Sequence, residues 1–199
     1  MKKTAKDTLM SVVVLFAIAF VCVGLLAVAN EYLKYEAKLD EAMAKQLYVV
    51  CPTGQPDDSD AINYFEILSA DDTIEKVNSE FGTPTTYVLA AFRATKGDNA
   101  GCYIVQARAE CSYGEVVMLT AYDKSGKIMK TICYSQNQSF WDSKIAGKYD
   151  GFENLVGKDG FITGSDIATG TGATFSIQTV ADSVTISNKM AAELIGGNV

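Results

Sequence analysis

From Leu9 to Ala29 the chain reads LMSVVVLFAIAFVCVGLLAVA, twenty-one residues without a charge. Wound as a helix at 1.5 Å per residue, that run is about 31 Å long, enough to cross the hydrocarbon core of a bilayer. In EYLKYEAKLDEAMAKQL (31–47) the apolar positions Leu33, Ala37, Leu39, Ala42, Met43 and Leu47 mark one face of a partly amphipathic helix continuing from the membrane. Two prolines, a glycine and an acidic cluster make CPTGQPDDSD (51–60) a loop. Residues 72–80 form a short helix that Gly82 and Pro84 close.

The pattern then changes. TTYVLAAFRAT (85–95), CYIVQARAE (102–110), EVVMLTAYD (115–123) and KIMKTICYS (127–135) are rich in β-branched and aromatic residues. KGDNAG, CSYG and KSGK between them are turn chemistry. Turns at this spacing predict an antiparallel meander rather than βαβ units, with Asp123-Lys124-Ser125-Gly126 turning the last hairpin. A mixed stretch with a short helix or two follows and holds the only tryptophan, Trp141. From Thr174 onwards Ile177, Val180, Val184, Ala191 and Leu194 recur at helical spacing, and Gly196-Gly197 ends that helix. The expected fold is α+β: one N-terminal transmembrane helix, then an exported domain with a twisted antiparallel sheet packed by helices. Its parts are a cytoplasmic N-terminus (1–8), the transmembrane helix (9–29), a juxtamembrane helix (30–50) and an extracytoplasmic domain (51–199).

Charge orients this picture. Lys2, Lys3 and Lys6 stand before the apolar run against the single acid Asp7, while acids and lysines nearly balance after it. The positive-inside rule puts the N-terminus in the cytoplasm and residues 30–199 outside, in a single-pass protein of the cell membrane. Ala27-Val28-Ala29 also fits a signal-peptide cleavage site, although such apolar regions are shorter, about 7–15 residues. A net charge of −7 argues against a nucleic-acid partner, and the absence of histidine removes His-based catalysis and His metal sites. Cys22 lies within the apolar run, as a packing residue. Cys51, Cys102, Cys111 and Cys133 lie beyond it, where an oxidising compartment would permit two disulfides in any of three connectivities. No CxxC occurs, so no metal site is expected.

One segment remains, Gly170-Thr171-Gly172-Ala173-Thr174-Phe175-Ser176, at the start of the last helix. Small residues and hydroxyls there suit a helix cap. They also suit an anion site, since free N–H groups and the positive end of the helix dipole meet at that point.

An apolar span, an antiparallel sheet and a T-G-A-T segment opening a terminal helix together resemble the FMN-binding domain family. The chain resembles the G component of the Rnf electron-transport complex and, more distantly, the C component of the Na⁺-translocating NADH:quinone oxidoreductase. The resemblance covers essentially the whole chain, and the TGATFS segment is its specific part. It implies an FMN joined through its phosphate to the hydroxyl of Thr174 by a dedicated flavin transferase. Thr171, Gly172 and Ala173 match the motif's S/T, Gly and Ala, and Ser176 a later hydroxyl position. The implied role is that of an electron carrier, with no catalytic residue of its own, in an ion-translocating ferredoxin:NAD oxidoreductase. Other membrane subunits of that complex would be its partners.

Two positions depart from the family. Its Asp six residues before the acceptor Thr is here Ala168, with Asp166 eight before, as if TG were duplicated in ATGTGAT. Its E-T-P-G-L-G segment, which lies against the flavin, falls by register in Asn137–Asp142 and keeps none of those residues. There Gln138 and Ser139 can hydrogen-bond an isoalloxazine edge, and Trp141 either stacks on the ring or fills the core. Phe175 likewise either packs near the flavin or belongs to the helix's own core. The alternatives are a free-standing extracytoplasmic FMN protein for extracellular electron transfer, and a pilin-like structural protein. Against the second, no Gly-Phe processing site follows the lysines.

Overall fold

Alternating apolar side chains between tight turns build a five-stranded antiparallel sheet in the simplest order, β1-β2-β3-β4-β5. The computed structural model describes residues 10, 12–25, 39–53, 61–68, 71–139, 141, 145, 155–158 and 174–196. The chain divides into two compact units, 1–37 and 38–199.

In the first unit residues 12–25 are helical (α1), and their side chains are exposed on every side. Among the described residues no helix is long and apolar enough to cross a membrane. The flanking parts of the expected span, residue 9, residue 11 and residues 26–29, lie outside the described residues, as do 30–38.

The second unit opens with α2, Glu41–Val50. The expected juxtamembrane helix does not run through Leu39 and Asp40. The Asp40 carboxylate accepts the Met43 N–H at 2.6 Å, so Asp40 is an N-cap that starts a new helix. Its buried stripe is Ala44, Leu47 and Val50, with Ala42 exposed. A 3-10 turn, Ala61–Tyr64, leads into β1, Phe65–Ile67, and α3 follows at Asp71–Phe81. The long strands are β2 (Thr86–Ala94), β3 (Tyr103–Cys111), β4 (Gly114–Tyr122) and β5 (Ile128–Gln136). The terminal helix α4 spans Thr174–Gly196.

The period of two along each strand divides the apolar residues between two layers. Tyr103, Val105, Ala107 and Ala109 of β3, with Val116, Met118 and Tyr122 of β4, face α3 and α4. Ile104 of β3, with Leu119 and Ala121 of β4, faces α2. The sheet is therefore sandwiched between helices. Register shifts in three places adjust the alternation, one of them between Ala121 and Tyr122 of β4 where it pairs with β5. Register shifts between Val88 and Ala90, which leaves Leu89 exposed while Val88 and Ala91 both reach the α4 layer. A second shift opposite Val117 and Met118 leaves Tyr134 outward. Along β5, Ile128 exchanges backbone hydrogen bonds with Gly157 and Lys158 (2.7 and 2.9 Å), which covers part of an edge.

Helix α4 lies against β3 through an unusual set of buried groups: Ser176, Thr179, Ser183 and Ser187 accompany Ile177, Val180, Val184 and Met190. Small side chains let the helix approach the alanines of β3. Thr179 and Ser187 donate to carbonyls four residues back, each at 2.8 Å, so their burial leaves no hydroxyl unsatisfied. Tyr122, fully buried, donates to Asn188 Oδ1 at 2.7 Å and ties β4 to the same helix.

The β4–β5 turn is held by one carboxylate. Asp123 Oδ1 accepts from Ser125 N, Ser125 Oγ and Lys127 N at 2.8, 2.7 and 3.0 Å. Partial burial alone would raise its pKa, but these donors outweigh it and bring the group below its ordinary 3.8. A carboxylate whose pKa is depressed on folding stabilises above its unfolded value and loses that contribution as pH falls through the folded value. Asp123→Ala is therefore expected to cost about 1 kcal/mol near neutrality, read by urea unfolding, and progressively less below pH 3.8.

Candidate functional site

The end of the sheet that carries the β3–β4 turn is where the segment after β5 and the start of α4 meet. Gly114, which begins β4, has φ +127°, and a Cβ there would lie 2.6 Å from the Asn137 carbonyl oxygen. Glycine is required because the chain leaving β5 passes directly over it. That chain is stitched down by Asn137 N to Glu115 O at 3.1 Å and Ser139 N to Tyr113 O at 3.0 Å. Asn137 Oδ1 in turn accepts from Glu115 N at 2.6 Å.

Between these bonds Gln138 turns inward. Its Oε1 accepts the Ser176 hydroxyl at 2.6 Å, its Nε2 donates to the Gly114 carbonyl, and Cys111 Sγ lies 3.6–3.7 Å from the amide. Gln138 and Ser176 are both buried. These two residues, 38 apart in sequence, lock the first turn of α4 to the β3–β4 turn. The Ser176 proton and the Gln138 amide are taken up by each other, by the Gly114 carbonyl and by Cys111 Sγ. Ser139 Oγ donates to the Tyr113 carbonyl at 3.3 Å. Trp141 donates its backbone N–H to the Gln138 carbonyl at 3.3 Å, and its side chain packs in the α4 layer of the core.

What stays outward is narrower. Thr174 is the first residue of α4 and is exposed. Phe175 is 63% exposed, and its ring stands 6.0 Å from that of Tyr113, tilted by 47°. Tyr113, itself 39% exposed, comes from the β3–β4 turn. Sequence reasoning passed over it because CSYG carries only the signature of a turn. The first N–H groups of α4 have no carbonyl partner within the helix, and Thr174 is the residue that opens it.

Of the residues nominated from sequence, the structure gathers Gln138, Ser139, Trp141, Thr174, Phe175 and Ser176 at one end of the sheet. Asp166, Gly170, Thr171, Gly172 and Ala173 lie outside the described residues. An esterified phosphate fits this place: an exposed hydroxyl on a helix long enough to have a full dipole, with aromatic rings alongside. The expected hydrogen bonds from Gln138 to an isoalloxazine edge do not fit, because its amide is already occupied. Comparison of the chain with protein-family models and with curated proteins finds no match in either.

Proposed function

We propose that this chain is a membrane-anchored flavoprotein electron carrier, the G component of an Rnf-type complex, with FMN esterified through its phosphate to Thr174. The observation that carries the proposal is the position of Thr174 in the T-G-A-T segment. Its hydroxyl is exposed on the first turn of a 23-residue helix, while the next hydroxyl, Ser176, is buried and bonded. A phosphodiester keeps a negative charge, and the helix N-terminus stabilises it by roughly 0.3–1 kcal/mol. When bound, the isoalloxazine supplies the redox chemistry; the protein's share is to hold it at the sheet's end and shield one side. Thr174 is an attachment point with no catalytic part. Forming the ester requires a transferase with an activated flavin phosphate, since a hydroxyl and a free phosphate do not condense in water.

Anchoring rests on residues 9–29. Exposed apolar side chains all round α1, from Val12 to Leu25, are what a helix presents to lipid. With the N-terminus cytoplasmic, the sheet domain lies outside the cell membrane, and other membrane subunits of an Rnf-type complex deliver and remove its electrons. The test is to produce the full chain with an Rnf-type flavin transferase and map its peptides by mass spectrometry. The peptide containing Thr174 is expected to gain the mass of FMN less one water; an unmodified peptide from protein made with active transferase overturns the proposal.

Among the described residues, Phe175 follows the attachment point directly and its ring stands by that of Tyr113, and aromatic pairing is worth about 0.5–1.5 kcal/mol. Tyr113→Leu is expected to leave the flavin covalently bound but to lower the ratio of docked to undocked rings about two- to tenfold. Flavin fluorescence, quenched by a neighbouring tyrosine, reads this as brighter emission from the native protein with the amount of bound flavin unchanged.

A further inference from the structure

Two of the five cysteines meet across the α2 face of the sheet. Cys51 ends α2 as its C-cap, with its N–H donating to Leu47 O at 2.8 Å. Cys102 stands immediately before β3, with its N–H donating to Asn99 O at 3.0 Å. Both side chains are buried, Cys51 completely, in the cluster that joins α2 to the sheet. The backbones around them are in direct contact. Asn99 Nδ2 donates to the Pro52 carbonyl, and Gly97, at φ +78°, passes so close to Thr53 O that no side chain fits between them. Cys51 and Cys102 belong to one buried cluster, and each thiol is near enough to the other to influence its ionisation. Cys111 and Cys133 have other neighbours: Cys111 lies against Gln138, and Cys133 Sγ donates to the Ser135 carbonyl at 3.4 Å. Of the four cysteines beyond the apolar run, Cys51 and Cys102 are the two that share one buried cluster.

We infer that Cys51 and Cys102 form a disulfide clasp that fastens α2 to the sheet when the chain folds in an oxidising compartment. A low-molecular-weight disulfide such as oxidised glutathione is the oxidant. One cysteine thiolate attacks it to give a mixed disulfide and one glutathione thiol. The second cysteine displaces the other glutathione. Two S–H bonds are lost, one S–S bond forms, and two electrons and two protons end on two glutathione thiols. Burial pushes the Cys51 thiol up to about 12, with the neighbouring Cys102 adding to it, and burial also raises Cys102. In the folded, reduced protein the pair is therefore protonated and slow to react, and the bond is made as the chain folds. The clasp requires no flavin, and rests on the proposed function only for the compartment in which it is used.

The full chain in detergent is unfolded in urea with reductant, then refolded in a buffer of oxidised and reduced glutathione. Remaining thiols are alkylated, and the protein is digested without reduction. A peptide joining Cys51 to Cys102, with Cys22, Cys111 and Cys133 alkylated, is expected. Recovery of all five cysteines alkylated, or a dominant link through Cys111 or Cys133, overturns the inference. The oxidised protein should melt on the order of 10 °C above the reduced one, because the bond closes a loop of about fifty residues. The Cys51→Ala/Cys102→Ala variant should show no oxidant-dependent shift. A shift that persists in that variant, or no shift in the linked protein, counts against a clasp.

Discussion

Thr174→Ala, produced in the full chain beside the flavin transferase, is expected to lose the fluorescent flavin band that survives denaturing electrophoresis, with at least a hundredfold drop in bound flavin. The size of the effect follows from chemistry: a phosphoester cannot form on a methyl group, and no other hydroxyl in the first turns of α4 can replace it. Ser176 is buried with its proton on Gln138 Oε1, and Thr179 donates to the Phe175 carbonyl at 2.8 Å. Ser176→Ala should therefore keep the band, and so should Thr171→Ala. Folding separates the tether from the plainer role of Thr174 as a helix cap. Loss of a cap lowers stability by about 1 kcal/mol. Loss of an exposed hydroxyl already inside the helix changes it by less than about 0.5 kcal/mol. The tether predicts a flavin-free protein with an unchanged urea midpoint, whereas flavin retained in Thr174→Ala would sink the assignment.

Much of the scaffold around Thr174 is legible in the sequence because it repeats. Strands β2 to β5 follow alternating apolar residues between turns, and the α4 stripe of Ile177, Val180, Val184, Ala191 and Leu194 is buried in the structure as its spacing requires. Strand β1 was not legible. Its three residues gain their pairing from Phe92, Arg93 and Ala94 of β2, and three residues hold no period. The bulges at Leu89 and Tyr134 are equally silent, since one extra residue only blurs an alternation. On α2 the period was visible but its phase was not: with Asp40 as cap, the buried stripe shifts to Ala44. The site divides in the same way. Thr174 could be picked out because its neighbours form a motif. Tyr113 could not, because a turn residue has no periodicity. The pairing of Cys51 with Cys102 depends on where α2 docks, which no cysteine spacing encodes.

Gln138 shows where sequence chemistry and structure part, and it carries the second large effect. An amide two residues beyond β5 serves equally as a flavin contact or as an internal strut. The structure gives it two buried partners at once, the Ser176 hydroxyl and the Gly114 carbonyl. Gln138→Ala strands both in a joint between three segments, at about 1–3 kcal/mol for each group left unsatisfied. A loss of about 2–4 kcal/mol is expected, or a fall in melting temperature of roughly 5–15 °C, in protein made without the transferase. A flavin contact predicts the opposite: an unchanged melting temperature without flavin and a shifted absorption spectrum with it. Gln138→Glu sharpens the test. The new carboxyl keeps an acceptor for Ser176, but its second oxygen faces the Gly114 carbonyl in a buried place. Burial and that oxygen raise its folded pKa above the unfolded value of about 4.3. A group raised on folding destabilises as pH climbs past its unfolded pKa, so the Glu variant should be nearest to wild type below pH ~4 and weakest at neutrality. Urea unfolding at the two pH values reads the difference. Equal losses at both would mean that the strut is not buried in solution, and the start of α4 would then lack the anchor that holds Thr174 in place.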